Sequence, residues 1–290
     1  PISNGNNFSA YGLDTTDQMT DTPTKNYAVL NNLSIGPAMT LSDGNLVVTA
    51  AGTTGLWNRC LPTIDLTQKT YWEFHVDTLY ALNYGLSRPD NTISGQNNPG
   101  GNLGAGISVN ERFVAGAVVS ESSGGATFPF VADDYVMLAF DPARGALWAG
   151  VNGTWMDGTA SSPSSATILT EIEGTGTSYA LFTGWSTDYN WIPYVSSYNN
   201  NVSTARFNEA DFEGTLPTGY ITLNTSDIAT PAILDGTKNF QTTLYTGDGS
   251  VRNIDQTGNS TFQPDFVWIK NRSTTDEHKL IDIARGVTKE

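Results

Sequence analysis

From residue 36 to residue 223 the chain is a succession of short apolar or alternating runs, each closed by Gly, Pro, Asn or Asp. That spacing leaves no convincing amphipathic helix and favours extended segments that pair with one another. Leu46–Ala50 follows Asp43-Gly44-Asn45, and Tyr71–Asp77 alternates Tyr71, Glu73, His75 and Asp77 with Trp72, Phe74 and Val76. Period-two alternation puts the second set on a core-facing side. Arg112–Val119 reads as a further strand, and Tyr135–Phe140 is apolar throughout, as a strand buried on both faces would be. Ala146–Val151 and Thr154–Met156 flank Asn152-Gly153, the strongest local hairpin signal, because a type I′ turn needs positive φ at both central residues. Tyr179–Trp185 and Ser203–Phe207 complete the set. Many short strands at regular spacing predict an all-β fold, an antiparallel two-sheet β-sandwich.

Composition narrows the partners. The 290 residues carry 29 acidic and 14 basic side chains, a net charge of −15, which repels phosphate and argues against nucleic acid. Cys60, the one cysteine, allows no internal disulfide or Cys-rich metal site. Apolar runs are too short to insert in a membrane, and Pro1-Ile2-Ser3-Asn4-Gly5 lacks the basic and apolar regions of a signal peptide. A leading Pro is what trimming an initiator Met leaves, so Pro1 is expected to be the natural start, whereas Lys289-Glu290 shows no such mark. Most of the acidic surplus lies before residue 238, and the polar Asn224–Pro231 run with Asp235-Gly236 has the character of a linker. The expected layout is an N-terminal arm (1–35), the sandwich (36–223), a linker (224–237) and the start of a second β-rich domain (238–290). The arm's Phe8, Tyr11, Leu13, Tyr27, Val29 and Leu30 are apolar enough to pack on a neighbour.

Three motifs in order carry a family resemblance. Asp134–Asp141, Gly145–Trp148 and Val151-Asn152-Gly153 together resemble the central hairpin of SPRY (B30.2-like) domains. Lys69–Phe74 is similar to the strand in which that family commonly has Tyr-Trp-Glu, and Asn83–Ser87 to its following Gly-containing strand. Asp21–Asn31 resembles a leader that precedes such domains in bacteriophage virion proteins of the tail-fibre and head-fibre type. Leu244–Ser250, Phe262–Lys270, Arg272 and Ala284-Arg285-Gly286 resemble the opening of a second β-domain that follows in those proteins and runs on further there. The resemblance implies a SPRY/concanavalin-like jelly roll. It also implies a non-catalytic fibre, spike or capsid-decoration protein, soluble in the host cytoplasm and then part of the particle. Expected partners are other virion proteins or its own copies in a homo-oligomer, with a host surface protein or glycan as receptor.

Relative to that pattern, Ser186–Asn201 is an insertion in which Tyr189, Trp191, Tyr194 and Tyr198 are spaced by Asn, Ser and Pro. Rigid aromatics among adaptable polar residues suit a contact loop, and such rings also stack on sugars. The same rings folding back over the sandwich edge would hold the insertion in place, and both readings stand. A carbohydrate-binding module is the first alternative function, and a polysaccharide depolymerase the second. The latter needs two carboxylates about 5–10 Å apart. Glu171 with Glu173, and Glu73 with Asp77, have strand spacings that would share a face, but Glu171 and Glu173 border the loop Gly174–Ser178. His75 and His278 lie near no recognisable nucleophile. Asp133-Asp134, Asp157-Gly158 and Asp248-Gly249 lack the spacing of a calcium loop and read as turns. Trp72, Trp148 and Trp185 are expected in the core, and no cofactor or metal is expected.

Overall fold

A computed structural model describes residues 20–52, 57–91, 104–108, 111–114, 117–119, 129–157, 162–185, 189–228, 233, 235–258 and 261–286. The chain forms two compact units, 1–228 and 229–290. In chain order the first holds β1 (Leu30–Ile35), β2 (Met39–Ser42), β3 (Val47–Ala50), β4 (Asn58–Pro62), β5 (Thr70–Thr78) and β6 (Leu82–Ser87). Then come β7 (Gly104–Ser108), β8 (Glu111–Val114), β9 (Ala117–Val119), β10 (Tyr135–Asp141), β11 (Ala146–Val151) and β12 (Thr154–Trp155). Helix α1 (Ser165–Glu173), β13 (Ile192–Ser197) and β14 (Asn201–Arg206) finish it. One seven-stranded sheet runs β1-β4-β13-β6-β7-β8-β9 and the other β12-β11-β10-β5-β14-β3-β2, with every strand pair antiparallel. The fold is all-β, a two-sheet antiparallel sandwich.

Alternation sorts the side chains as the sequence predicts. Trp72, Phe74 and Val76 of β5 and Val136, Leu138 and Phe140 of β10 join the main core with Tyr84 and Val195 of the opposite sheet. Phe74 stacks on Tyr84 with ring centroids 4.7 Å apart, and the Tyr84 hydroxyl bonds Ser203 Oγ at 2.9 Å, a polar link buried in the core. The other face of the same strands, Tyr71, Met137 and Ala139, packs with Trp148 beneath Ile168 and Ile172 of α1. Tyr135–Phe140 is thus buried on both sides. The β11–β12 turn has Asn152 at φ 48° and Gly153 at φ 76°. Its Asn152 Oδ1 accepts from Tyr135 N at 2.8 Å.

The structure departs from the expected elements in several places. Arg112–Val119 is two strands, because Val114 pairs with Ala117 and the run reverses on itself. Tyr179–Trp185 makes a single bridge, Leu147 to Phe182, and Trp185 N then donates to Gly145 O at 3.2 Å without extending it into a strand. Leu30–Ile35, assigned to an arm, is the edge strand β1, and Ala28 N donates to Leu223 O at 2.8 Å. Residues 165–173 are helical, where no helix was expected. Ser164 Oγ accepts from Thr167 N, Ile168 and Ile172 share the buried face one turn apart, and Gly174 caps the end.

Arg144 closes this helix onto the sheet. Its Nη1 donates to Glu171 O (2.9 Å) and Gly176 O (2.7 Å), and Nη2 to Ile172 O (2.6 Å), satisfying carbonyls that a helix end leaves unpaired. Nε donates to the buried Asp141 carboxylate at 2.5 Å, and the guanidinium lies 4.5 Å over the Trp148 ring. In the second unit the described strands form a two-stranded hairpin: β15 (Phe266–Ile269) pairs with β16 (Lys279–Asp282), with Phe266 and Trp268 exposed. No helix among the described residues is long and apolar enough to cross a membrane.

Burial pushes the Asp141 carboxyl upward, but hydrogen bonds and charge from Arg144 outweigh it and hold it below the usual carboxylate range. Stability from this pair is complete above the unfolded value of about 3.9 and lost as pH falls through the lower folded one. Arg144→Met is expected to cost about 1.5–3 kcal/mol at pH 7, because it removes the closest charged partner of a buried carboxylate and leaves only Lys69 Nζ at 3.4 Å and two backbone N–H groups. In urea melts the gap to the wild type should narrow below about pH 4; a gap independent of pH would remove the pair from this role.

Candidate functional site

Strands β6 and β13 end together: Ser87 pairs with Ile192, and Gly104 of β7 pairs with Ser87. The residues just past these ends form one edge of the sandwich. Arg88 Nε donates to Asp90 Oδ1 at 2.9 Å, its Nη2 donates to Asp90 Oδ2, and its guanidinium lies 4.1 Å from the Tyr189 ring centroid. Tyr189 is 48% exposed. Asn190 Nδ2 donates to Asp65 Oδ2 at 3.3 Å, bringing the β4–β5 loop to the same edge. Beneath, Asn91 Nδ2 donates to Ser87 Oγ at 2.8 Å and anchors the loop's first turn. The result is a cation, carboxylates, an amide and a half-exposed ring on a rigid rim, suited to reversible contact with a polar partner.

The four aromatics singled out in the sequence do not share this surface. Only Tyr189 lies on it. Trp191, 8% exposed, meets Trp185 edge-on with centroids 4.1 Å apart, and its carbonyl accepts from Leu66 N at 2.7 Å, sealing the core behind the rim. Tyr194 is buried in mid-strand, its hydroxyl donating to Asn83 Oδ1. Tyr198 sits at the opposite end beside Trp57, centroids 5.7 Å apart. The physical reason is that Ile192–Ser197 is not a loop: it is strand β13, hydrogen-bonded between β4 and β6. The sequence reading passed over Arg88 and Asp90. Their signal was an Arg-x-Asp turn directly after an apolar strand.

The carboxylates considered for catalysis are engaged in holding the fold. Glu171 and Glu173, i and i+2 on a helix, diverge by about 200° and cannot form a strand-face pair. Glu171 accepts from Trp148 Nε1 (3.0 Å), Ser178 N (2.7 Å) and Tyr179 N (2.8 Å), and Glu173 from Thr218 N (2.7 Å). Glu73 is buried and accepts from Tyr71 OH, and at 2.8 Å from both Glu213 N and Gly214 N. Burial raises its pKa, and those hydrogen bonds offset only part of the rise. Asp77 accepts from His75 Nδ1–H (2.9 Å) and Thr204 Oγ1 (2.8 Å). In the turns, Asp134 accepts from Val131 N and Asn152 Nδ2, Asp157 from Ser162 N and Asp248 from Ser250 N. Their oxygens serve as turn acceptors. In the second unit His278 Nδ1 accepts from Trp268 Nε1 at 2.7 Å.

Fold and rim together define a β-sandwich domain with a loop edge, followed by a second, separately organised unit. A family model described as a domain of unknown function (DUF7483) matches residues 235–290. No curated protein matches the chain. Among solved structures, the chain is similar to the SPRY domain of human HERC1 at 12% identity and TM-score 0.45, over 61% of this chain and 96% of that one. It is similar to stonustoxin at 11% identity and TM-score 0.44, over 62% of this chain and 27% of that one. It is also similar to the TRIM65 PSpry domain at 14% identity and TM-score 0.41, over 62% and 92% respectively.

Two substitutions separate packing from contact. Trp191→Ala should cost about 3–5 kcal/mol in a urea melt, as for a large aromatic removed from a core. Tyr189→Ala should stay within about 0.5 kcal/mol of the wild type. Equal losses would mean the rim ring is structural as well.

Proposed function

We propose that this chain is a bacteriophage virion structural protein, a fibre, spike or capsid-decoration component that acts by binding. The sandwich presents one loop edge to a partner and the second unit takes part in assembly. Binding over turnover is supported chiefly by the engagement of Glu73, Glu171 and Glu173 with backbone and ring N–H groups. A general acid or base must be free to exchange a proton with substrate. These three are spent on loop and helix positions, while the rim around Arg88 and Tyr189 keeps polar and aromatic groups in solvent.

The virion assignment draws on the resemblance of residues 21–31 and 244–286 to segments flanking SPRY-like domains in phage particles. Phe240, Leu244, Val251, Phe266 and Trp268, all exposed in the second unit, fit a module that is covered on assembly. Partners are then neighbouring virion proteins or copies of the chain, with a host surface protein or glycan meeting the rim.

The test is to locate the chain in particles of a phage that encodes it, by mass spectrometry of purified virions and gold-labelled antibody. Detection on the particle surface is the expected outcome, and absence from intact virions would refute the assignment. In particles carrying Arg88→Ala with Tyr189→Ala, adsorption to host cells should fall at least about tenfold, the size of losing one or two central contacts, with thermal stability unchanged. Unaltered adsorption would move the contact surface elsewhere.

A further inference from the structure

Arg59 of β4 is 1% exposed, and among the described residues neither of its terminal nitrogens has a hydrogen-bond partner. The register explains where it stands. Ser196 pairs with Arg59 on one side and Asn83 on the other, and Asn83 pairs with Ser108, so four polar residues form one row across β4, β13, β6 and β7. Directly paired residues share a sheet face, and Tyr194, two positions before Ser196, shares it too. Cys60, Val195 and Tyr84, one position away in each strand, face the main core instead. The row therefore lies on the outer face of this sheet, and it is buried there.

The hydroxyl donors of the row are spent. Ser196 Oγ donates to Asn58 O at 2.9 Å and Ser108 Oγ to Leu82 O at 2.8 Å. The Tyr194 hydroxyl donates to Asn83 Oδ1, which uses the amide's acceptor and leaves Asn83 Nδ2 a second buried donor without a partner among the described residues. Gly106 admits this arrangement: a Cβ there would stand 2.3 Å from the Tyr194 hydroxyl and 2.5 Å from Asn83 Oδ1. Burial pulls the Arg59 pKa down, and interaction with the Tyr194 hydroxyl is the only opposing influence. A guanidinium nevertheless stays protonated at neutral pH. Three nitrogens rich in N–H groups, two of them in a full cation, are thus held out of water on one face of the sheet.

An unpaired buried charge is among the most unfavourable features a fold can hold, and an ion is one of its ordinary explanations. We propose that Arg59 and Asn83 form an enclosed anion site on the outer face of this sheet, and that its ligand is a small carboxylate. The two free nitrogens of the guanidinium lie side by side in a plane and match the two oxygens of a carboxylate, with Asn83 Nδ2 as a third donor. This site is separate from the Arg88–Tyr189 rim and does not depend on the function proposed above.

The full chain, dialysed into HEPES to remove other small anions, is titrated with sodium formate at constant ionic strength while its thermal unfolding is followed. Sodium chloride provides the comparison series. Formate should raise Tm by about 5–10 °C at a hundredfold excess over its Kd, saturably and more than chloride does. Arg59→Met, which replaces the cation with an apolar chain of similar length, should unfold cooperatively and show no formate response. Line broadening of 13C-formate by the wild-type protein gives a readout that does not need the variant to fold. No formate response and no broadening, as would follow if water or a carboxylate of the chain itself served Arg59, would overturn the proposal. So would an equal response in Arg59→Met, or stabilisation by chloride alone.

Discussion

Burying β10 on both faces is the constraint from which the rest of the sandwich follows. One face, Val136, Leu138 and Phe140, requires the opposite sheet; the other, Met137 and Ala139, requires a cover of its own. A nine-residue helix supplies that cover, but so short a helix brings its unpaired C-terminal carbonyls down onto the apolar surface. Arg144 answers two of these carbonyls, Glu171 and Ile172, and that of Gly176 just beyond, from a turn of the sheet itself, and Asp141 balances the charge. The same logic governs Glu171, whose carboxylate orders the chain leaving the helix by accepting from Ser178 and Tyr179. Charges inside the second core thus act as connectors between layers.

Most of the strand set was legible because its signals are local. Alternation in Tyr71–Asp77, continuous apolarity in Tyr135–Phe140 and Asn152-Gly153 each report on the residue and its immediate neighbours, and each corresponds to an observed element. Where local signals are short or mixed the sequence misled. Tyr179–Trp185 is apolar enough for a strand, yet the consecutive Leu181 and Phe182 both enter the main core, which the alternation of a regular strand does not allow. Residues 165–173 contain two threonines and two glutamates around one isoleucine pair, too little apolar periodicity to register as a helix. Its caps, Ser164 and Gly174, were nonetheless present.

The site was less legible than the fold for a related reason. Aromatic residues spaced by Asn, Ser and Pro look alike whether they face solvent or a neighbouring strand. Only the register with β4 and β6 shows that Tyr194 is buried on a sheet face, and only the bridge to Leu66 and the contact with Trp185 show that Trp191 closes the core. Arg59 is the converse case. In Asn-Arg-Cys-Leu-Pro nothing periodic marks the arginine as buried, since long basic side chains ordinarily snorkel to water, and its significance is visible only once the Ser196 register aligns it with Asn83.

The two ends of the sandwich are built to different tolerances, and this difference is what would permit the binding edge proposed above. At the far end Asn201, almost wholly buried, accepts from Tyr80 N and Ala81 N and donates to Ala81 O, Ser197 Oγ and Asn199 O, locking two turns with one amide. Replacement there would leave several backbone groups unpaired at once. At the rim, Arg88, Asp90 and Tyr189 mainly contact one another, while Asn91 and Trp191 beneath them carry the structural load. Side chains above that layer can change without disturbing the strands below, because among the described residues no core contact or ladder hydrogen bond depends on them. A surface whose composition can be altered independently of stability is where partner choice is most readily adjusted, which is the physical sense in which loops on a rigid scaffold become the working part of such a domain.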